Sequence, residues 1–356
     1  MIGERLQRAR KAAGLGLRAL AEQADLSHTT ISKFENGLQT PSSGQLIKLA
    51  KILGVRTEYF FLPQTLNIKG IEYRKKSSLP QKSLDKIQAD IFDQAERWHE
   101  LLNLYPQSPV QAFALPADLP EQITGVEQME ILAEQLRDAW KLGLSCIPDM
   151  IDTLESQGVM VISSMVDAAH KFDGLAATIN DLPVVVVGAN WTGDRQRFTL
   201  AHELGHLLLK NRLIAGLQAE QEKLCNRFAG AFLLPKPTLI EHLGQHRHQL
   251  EINELYFLKH EFGLSMQAVL FRALQCEIIT QSSFQQLYKL FSLKGWRSKE
   301  PKQPYPAEQT ILFKQLVYRA LAEDYFTESK AAELLGLPVA TFHQQRTLES
   351  LEPLTH

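Results

Sequence analysis

His202 and His206 stand four residues apart, with Glu203 directly after the first, in "RQRFTLAHELGHLLLK" (195–210). On a helix, positions i and i+4 share a face, so the two imidazoles can offer nitrogens to one divalent ion, and tetrahedral zinc accepts both. Glu203 is rotated by about 100° from His202 and therefore flanks such an ion instead of ligating it. That is the position of a general base: zinc lowers the pKa of water, the carboxylate takes a proton as hydroxide attacks a carbonyl, and the proton returns to the leaving amine. Gly205 costs a helix about 1 kcal/mol relative to Ala, so its place beside the pair implies close approach of a strand or substrate. Leu200, Leu204, Leu207 and Leu208 are spaced to bury the opposite side. The competing reading is a packed helix on which H-E-x-x-H has arisen by chance.

A catalytic zinc needs a third protein ligand, and a carboxylate on a later helix is the natural donor. Sixteen positions after His206, Glu222 opens "EKLCNRFAGAFLLP", with Asn226 at i+4 on the same face. Asn226 is placed to orient His202 or His206 through a ring N–H. Glu220 is the alternative ligand. A second histidine group, His242, His246 and His248 in "EHLGQHRH", has Leu243 where a base is needed and Gly244 weakening the helix, so these read as surface histidines. Tyr256 and His260 are candidate oxyanion donors that the sequence does not position.

The elements that must hold these residues follow from pattern. After Gly158, "VMVIS" reads as a strand, and "GLAATI" and "PVVVVGA" are two more, separated by the turn "NDLP". Helices are expected near 128–142 and 150–157, and from Arg195 the pattern is helical almost to the end. The fold class is therefore α+β and mostly α, with a small, mostly antiparallel sheet. A basic connector, "IKGIEYRKKSSLPQK", precedes a helix in which Ile87, Ile91, Phe92, Ala95, Trp98, Leu101 and Leu102 share one face. The boundaries read from texture are 1–62, 63–125 (connector), 126–300 and 301–356.

The chain has 356 residues, too many for one ordinary core, with 22% charged and 44% hydrophobic residues. No apolar run approaches the roughly 20 residues that span a bilayer, and the charged N-terminus lacks a secretory pattern. A cytoplasmic protein without membrane contact is expected. Cys146, Cys225 and Cys276 are far apart, without C-x-x-C, and read as reduced. The net charge of −2 hides a split: residues 1–82 carry 14 Lys/Arg against 6 Asp/Glu, leaving 24 against 34 in the remainder. A basic head on an acidic body suggests binding of double-stranded DNA.

In that head, "LRALAEQADLSHTTISKFENGLQTPS" gives a helix from Leu17 to Ala24, a turn, and a second helix capped by Ser27 and running through Phe34. Leu20, Ala21, Ile31 and Phe34 face inward. The exposed start of the second helix carries Ser27, His28, Thr29, Thr30, Ser32 and Lys33, short polar donors and a cation of the kind that read base edges and phosphates. "TISKFENG", Pro41 and "LIKLAKILGV" make this segment resemble the lambda-repressor-like (XRE) helix-turn-helix domains, which implies a five-helix head. Where that family commonly has a capping hydroxyl and a glutamine, Gly16, Leu17 and Arg18 stand here, and Arg18 is the candidate substitute for the phosphate contact. The resemblance also implies a homodimer on paired half-sites.

The run "PVVVVGANWTGDRQRFTLAHELGHLLL" through "CNRFAGAFLLP", with "LESQGVMVI", "FDGLAA" and "KGWRSKEP", resembles the ImmA/IrrE family of metallopeptidases, which are gluzincin-like. The resemblance implies one Zn2+ per chain on His202, His206 and Glu222, with Glu203 as catalytic base. Cys225 departs from it, standing where alanine is usual, and a thiol there is a candidate redox-sensitive element. The tail "TESKAAELLGLPVATFHQQ" reads as helix, turn, helix; its acidic neighbours Glu323, Asp324, Glu328 and Glu333 argue for docking or dimerisation over DNA binding. The combined expectation is a DNA-binding regulator with a zinc endopeptidase that cleaves a partner protein, a transcriptional repressor being the natural candidate. The alternatives are a non-proteolytic zinc sensor or partner-binding module, and an antitoxin-like interaction protein.

Overall fold

The computed structural model describes residues 2–61, 68–72, 81–165, 172–180 and 182–348, by backbone alone at 68–72 and 82. In chain order, α1 (Ile2–Ala12), α2 (Leu17–Ala24), α3 (His28–Glu35), α4 (Ser43–Leu53) and a 3-10 turn at Thr57–Phe61 form the head. Strand β1 (Ile68–Glu72) and the long α5 (Gln81–Leu104) follow. Next come α6 (Gln128–Ala139), α7 (Met150–Ser156), β2 (Met160–Ser164), β3 (Gly174–Ile179), β4 (Leu182–Gly188) and α8 (Gly193–Leu209). The remaining helices are α9 (Gln221–Leu233), α10 (Lys236–Leu243), α11 (Ile252–Phe262), α12 (Met266–Gln275), α13 (Gln281–Leu293), α14 (Leu312–Ala322), α15 (Glu328–Leu334) and α16 (Val339–Arg346). The fold is mostly helical with one small sheet, as the pattern predicts.

The chain divides into two compact units, one of Met1–Asn67, Ser78–Val110 and Ile311–His356, the other of Ile68–Ser77 and Gln111–Thr310. In the first, Leu6, Leu20, Ile31, Phe34, Leu49 and Phe60 form the buried core of the head. Ser27, the cap expected from the sequence, accepts from the Thr30 amide, and the structure adds a capping box closed by Ser42 and Gln45. Arg10 and Glu35 make a buried two-bond pair at 2.6 and 2.8 Å. Helix α5 is the common support. Toward its start it receives α1, where Arg8 donates to Glu96 at 2.7 Å and the Arg8 guanidinium lies 4.5 Å from the Phe92 ring centre. Toward its end it receives the C-terminal helices: Trp98 packs on Phe313, and the Tyr105 hydroxyl donates to the Leu316 carbonyl at 2.6 Å. The helical tail is thus packed on α5 by the same aromatic face that periodicity marks out.

The second unit holds a four-stranded sheet in the order β1-β3-β4-β2. β3 and β4 form an antiparallel hairpin paired from Gly174↔Val187 to Ile179↔Leu182, whereas β2 runs parallel to β4 from Met160↔Val184 to Ser164↔Gly188. Asp181, in the turn "NDLP", lies outside the described residues, as do residues 73–80 of the connector. The connector departs from expectation by supplying β1, antiparallel to β3. "IKGIE" has a lysine and a glycine between its two isoleucines and shows no strand signal by itself; a tertiary partner decides its conformation.

Helix α8 follows β4 and is wedged among α7, α9 and the sheet, with Leu200, Leu204 and Leu208 buried in the same core cluster as Leu132, Phe228 and Phe232 of α6 and α9. Its start is pinned by charges. Lys259 of α11, almost fully buried, donates to Asp194 at 3.1 Å and to Glu300 at 2.7 Å. Arg197 pairs with Glu308, whose other oxygen accepts from the amides of Met150 and Ile151 at the start of α7. Both acidic partners come from the proline-punctuated segment after α13, which follows the start of α8 so closely that a Cβ at Gly193 would lie 1.8 Å from the Pro306 carbonyl oxygen.

Candidate metal centre

α8 turns His202, Glu203 and His206 into the unit, and α9 crosses it at Gly205. A Cβ at Gly205 would meet the Phe228 ring at 3.2 Å and the Cys225 Cα and Cβ at 3.3 and 3.4 Å. The close approach that Gly205 implies is therefore to a helix, where a strand or substrate was expected; the glycine lets α9 bring its own donors within reach of α8. Cys225 is fully buried at this crossing, where its small side chain fits. A free thiol there lies within 4.8 Å of the histidine donor nitrogens.

The donors converge tightly. His202 Nε2 and His206 Nε2 are 3.1 Å apart, and the Glu222 carboxylate oxygens lie 3.2 Å from His206 Nε2 and 3.6 Å from His202 Nε2. Zinc bonds of 2.0–2.1 Å to imidazole and carboxylate span a tetrahedron whose edges are about 3.3 Å, so the spacing fits that ion. His202 is 1% exposed, His206 12% and Glu222 43%, so the cluster opens to solvent on the carboxylate side. Cys225 is a further potential donor on the next turn of α9, its thiol within 4.8 Å of the histidine nitrogens.

Two side-chain amides set the imidazoles. His202 Nδ1 lies 2.9 Å from Asn226 Oδ1, an acceptor that fixes the proton on Nδ1 and leaves the Nε2 lone pair facing the cluster. His206 Nδ1 lies 3.0 Å from the Gln221 amide, whose rotation exchanges donor for acceptor. Gln221 was not singled out from sequence; its signal is adjacency to Glu222 on the first turn of α9. Glu203 is 2% exposed and lies beside β3: a Cβ at Gly174 would stand 3.6 Å from its Cγ.

The remaining candidates fall elsewhere. Glu220 pairs with Lys223 at 3.3 Å on the solvent side. His242 faces Glu261 at 3.5 Å, while His246 and His248 line a separate cavity of about 430 Å³; among the described residues they form no three-donor group. His260 packs on Tyr256 and Tyr305, and neither His260 nor Tyr256 has a described contact with the metal cluster. In the head, Arg18, His28, Thr29 and Lys33 are exposed, and Ser32 is half-buried. The Ser27 hydroxyl is engaged with Thr29 at 2.7 Å and Thr30 at 2.8 Å besides its cap bond. Among the described residues no helix is long and apolar enough to cross a membrane.

Two segments of the chain are similar to known proteins. Residues 6–60 match the helix-turn-helix family model, and residues 154–274 match the Peptidase M78 model, described as the IrrE N-terminal-like domain. The radiation response metalloprotease IrrE of Deinococcus radiodurans is 39% identical over 71 residues, 17% of this chain and 22% of that protein. An uncharacterized HTH-type transcriptional regulator of Rickettsia prowazekii is 35% identical over 60 residues, 17% of this chain and 46% of that protein. The chain thus spans about a fifth and just under half of the lengths of these two relatives. The matches thus join a helix-turn-helix segment at 6–60 to an IrrE-like, M78-type segment at 154–274.

Proposed function

We propose that this protein is a DNA-binding regulator carrying a zinc endopeptidase, and that the protein it cuts is a partner in transcriptional control, such as a repressor. The observation that carries the reading is the convergence of His202 Nε2, His206 Nε2 and the Glu222 carboxylate within 3.1 to 3.6 Å. His202, His206 and Glu222 would hold one zinc ion, Asn226 holding His202 in the tautomer that exposes Nε2. Bound there, zinc supplies Lewis acidity that polarises a carbonyl and eases ionisation of water. Glu203, off the ligand face and nearly buried, takes the proton of the attacking water on a carboxylate oxygen and delivers it to the departing nitrogen. Its burial keeps that oxygen out of bulk solvent, where the proton would be lost.

In the head, α3 enters the major groove. His28, Thr29, Ser32 and Lys33 face base edges and phosphates, and Arg18 at the start of α2 faces the backbone. Ser27 and Thr30 are committed to each other and to the helix start, and they act by fixing α3. A homodimer would pair two heads on two half-sites.

Glu203→Gln tests the peptidase. It should keep one zinc per chain and the wild-type melting curve while lowering cleavage of a co-expressed partner by about 10² to 10⁴-fold. An unchanged cleavage rate or cellular phenotype in that variant favours a non-proteolytic sensor instead.

A further inference from the structure

β3 approaches Glu203 at Gly174, where a Cβ would stand 3.6 Å from the Glu203 Cγ. One edge of β3 is paired with β4 over six residue pairs, from Gly174↔Val187 to Ile179↔Leu182. Its other edge is taken by β1, which comes from the connector and lies outside the peptidase match at 154–274. With the matched segment alone, the outer edge of β3 would be an open row of backbone donors and acceptors beside the catalytic carboxylate, a template on which an extended peptide adds as a strand.

β1 is suited to giving that edge up. It is five residues long, sits at the sheet margin and contains a glycine; its register slips between Lys69↔Thr178 and Glu72↔Ala176. A short edge strand of mixed polarity with a glycine has little to fix its register. Antiparallel pairing also carries β1 from the Ile179 end of β3 toward Ala176, two residues from Gly174 and Glu203's neighbourhood. We infer that β1 is an intramolecular competitor: it holds the peptide-binding edge of β3 in the resting chain and must be displaced before an extended protein segment can pair there. This rests on the peptidase reading for its purpose, but not for its test.

The test uses the full chain with Ile68→Pro and Lys69→Pro together. Consecutive residues of a strand point their amides to opposite sides, so one of the two removals must strike the side that faces β3. A second variant replaces residues 68–72 by a Gly-Ser run and guards against misfolding caused by proline; both are checked by melting curve. The probe is a fluorescein-labelled synthetic peptide of residues 66–74. Hydrogen exchange at residues 174–179 should be faster by about tenfold or more in either variant than in wild type. The labelled peptide should bind the variants at least about tenfold more tightly than wild type and restore protection to β3. Equal protection in all three chains, or equal peptide affinity, overturns the inference. Binding needs no catalysis, so the outcome for the strand competition is independent of the peptidase reading, which Glu203→Gln tests separately.

Discussion

His202 and Asn226, on different helices, meet through Nδ1 and Oδ1 at 2.9 Å. The amide oxygen holds a proton on the far nitrogen of the ring, so the near nitrogen points its lone pair at His206 and Glu222. Asn226→Ala should weaken zinc binding by about 10 to 100-fold, as loss of such a partner does elsewhere. Asn226→Asp, which keeps an acceptor, should retain most of the affinity. Competition against a chelator measures both, and equal affinity for wild type and Asn226→Ala would remove the assigned role.

Glu222 and Glu220 differ in orientation. The first faces the imidazoles and the second pairs with Lys223. Glu222→Ala should abolish stoichiometric zinc in purified protein, whereas Glu220→Ala should leave the metal content unchanged. Elemental analysis of the two variants reads this directly; a metal content reversed between them would make Glu220 the ligand.

Gly205 has no room for a larger side chain, since a Cβ already meets Cys225 and Phe228 at 3.2 to 3.4 Å. Gly205→Val should push α9 from α8 and destabilise the unit by about 1–3 kcal/mol, with loss of zinc because Glu222 rides on α9. Gly205→Ala should fall between, and combining it with Cys225→Ala should recover part of the loss. Thermal melts of the single and double variants form the cycle that checks it.

Lys259 provides a pH signature. Burial opposes its charge, but hydrogen bonds and attraction from Glu300 and Asp194 outweigh it and hold the ammonium above its ordinary value of 10.5. A base with a raised folded pKa contributes fully below the unfolded value and loses the contribution as pH climbs through the folded one. Lys259→Met leaves two carboxylates facing each other in the interior and should cost about 3–5 kcal/mol at neutral pH. The gap in melting temperature between wild type and variant should stay constant from neutral pH to near 10.5 and narrow above it. A gap that widened on the alkaline side would contradict the assignment.

Glu96 is shared by Arg5 and Arg8, at 2.5 and 2.7 Å. Glu96→Ala takes the anion from between two buried guanidiniums and should destabilise the helical unit by about 3 kcal/mol. Glu96→Gln should recover part of this through hydrogen bonding alone. Chemical denaturation followed by tryptophan fluorescence reports it, because Trp98 is on the next half-turn of α5.

The sequence made α8 and its donors legible because helical periodicity fixes which residues share a face: His202, His206 and the leucines behind them needed no tertiary information. Glu222 and Asn226 were legible for the same reason, as an i, i+4 pair. What the sequence could not carry was pairing decided elsewhere. β1 has no strand pattern and exists through β3; Glu300 and Glu308 sit in a stretch that prolines keep from regular structure, and only the fold brings them to Lys259 and Arg197. Gln221 was hidden because its role depends on how α9 crosses α8. His260 and Tyr256 were not placed by the sequence, since i+4 spacing explains their mutual contact and says nothing of the cluster on another helix.

The helical unit is assembled from three separated stretches of chain, with the head clasped to α5 by Arg5, Arg8 and Glu96. A nick anywhere between the head and α5 would therefore yield two fragments on a denaturing gel and a single particle in a native one. Release of the head is then governed by how quickly α1 peels from α5, so backbone scission in that stretch serves as a licence for departure and not as the departure itself.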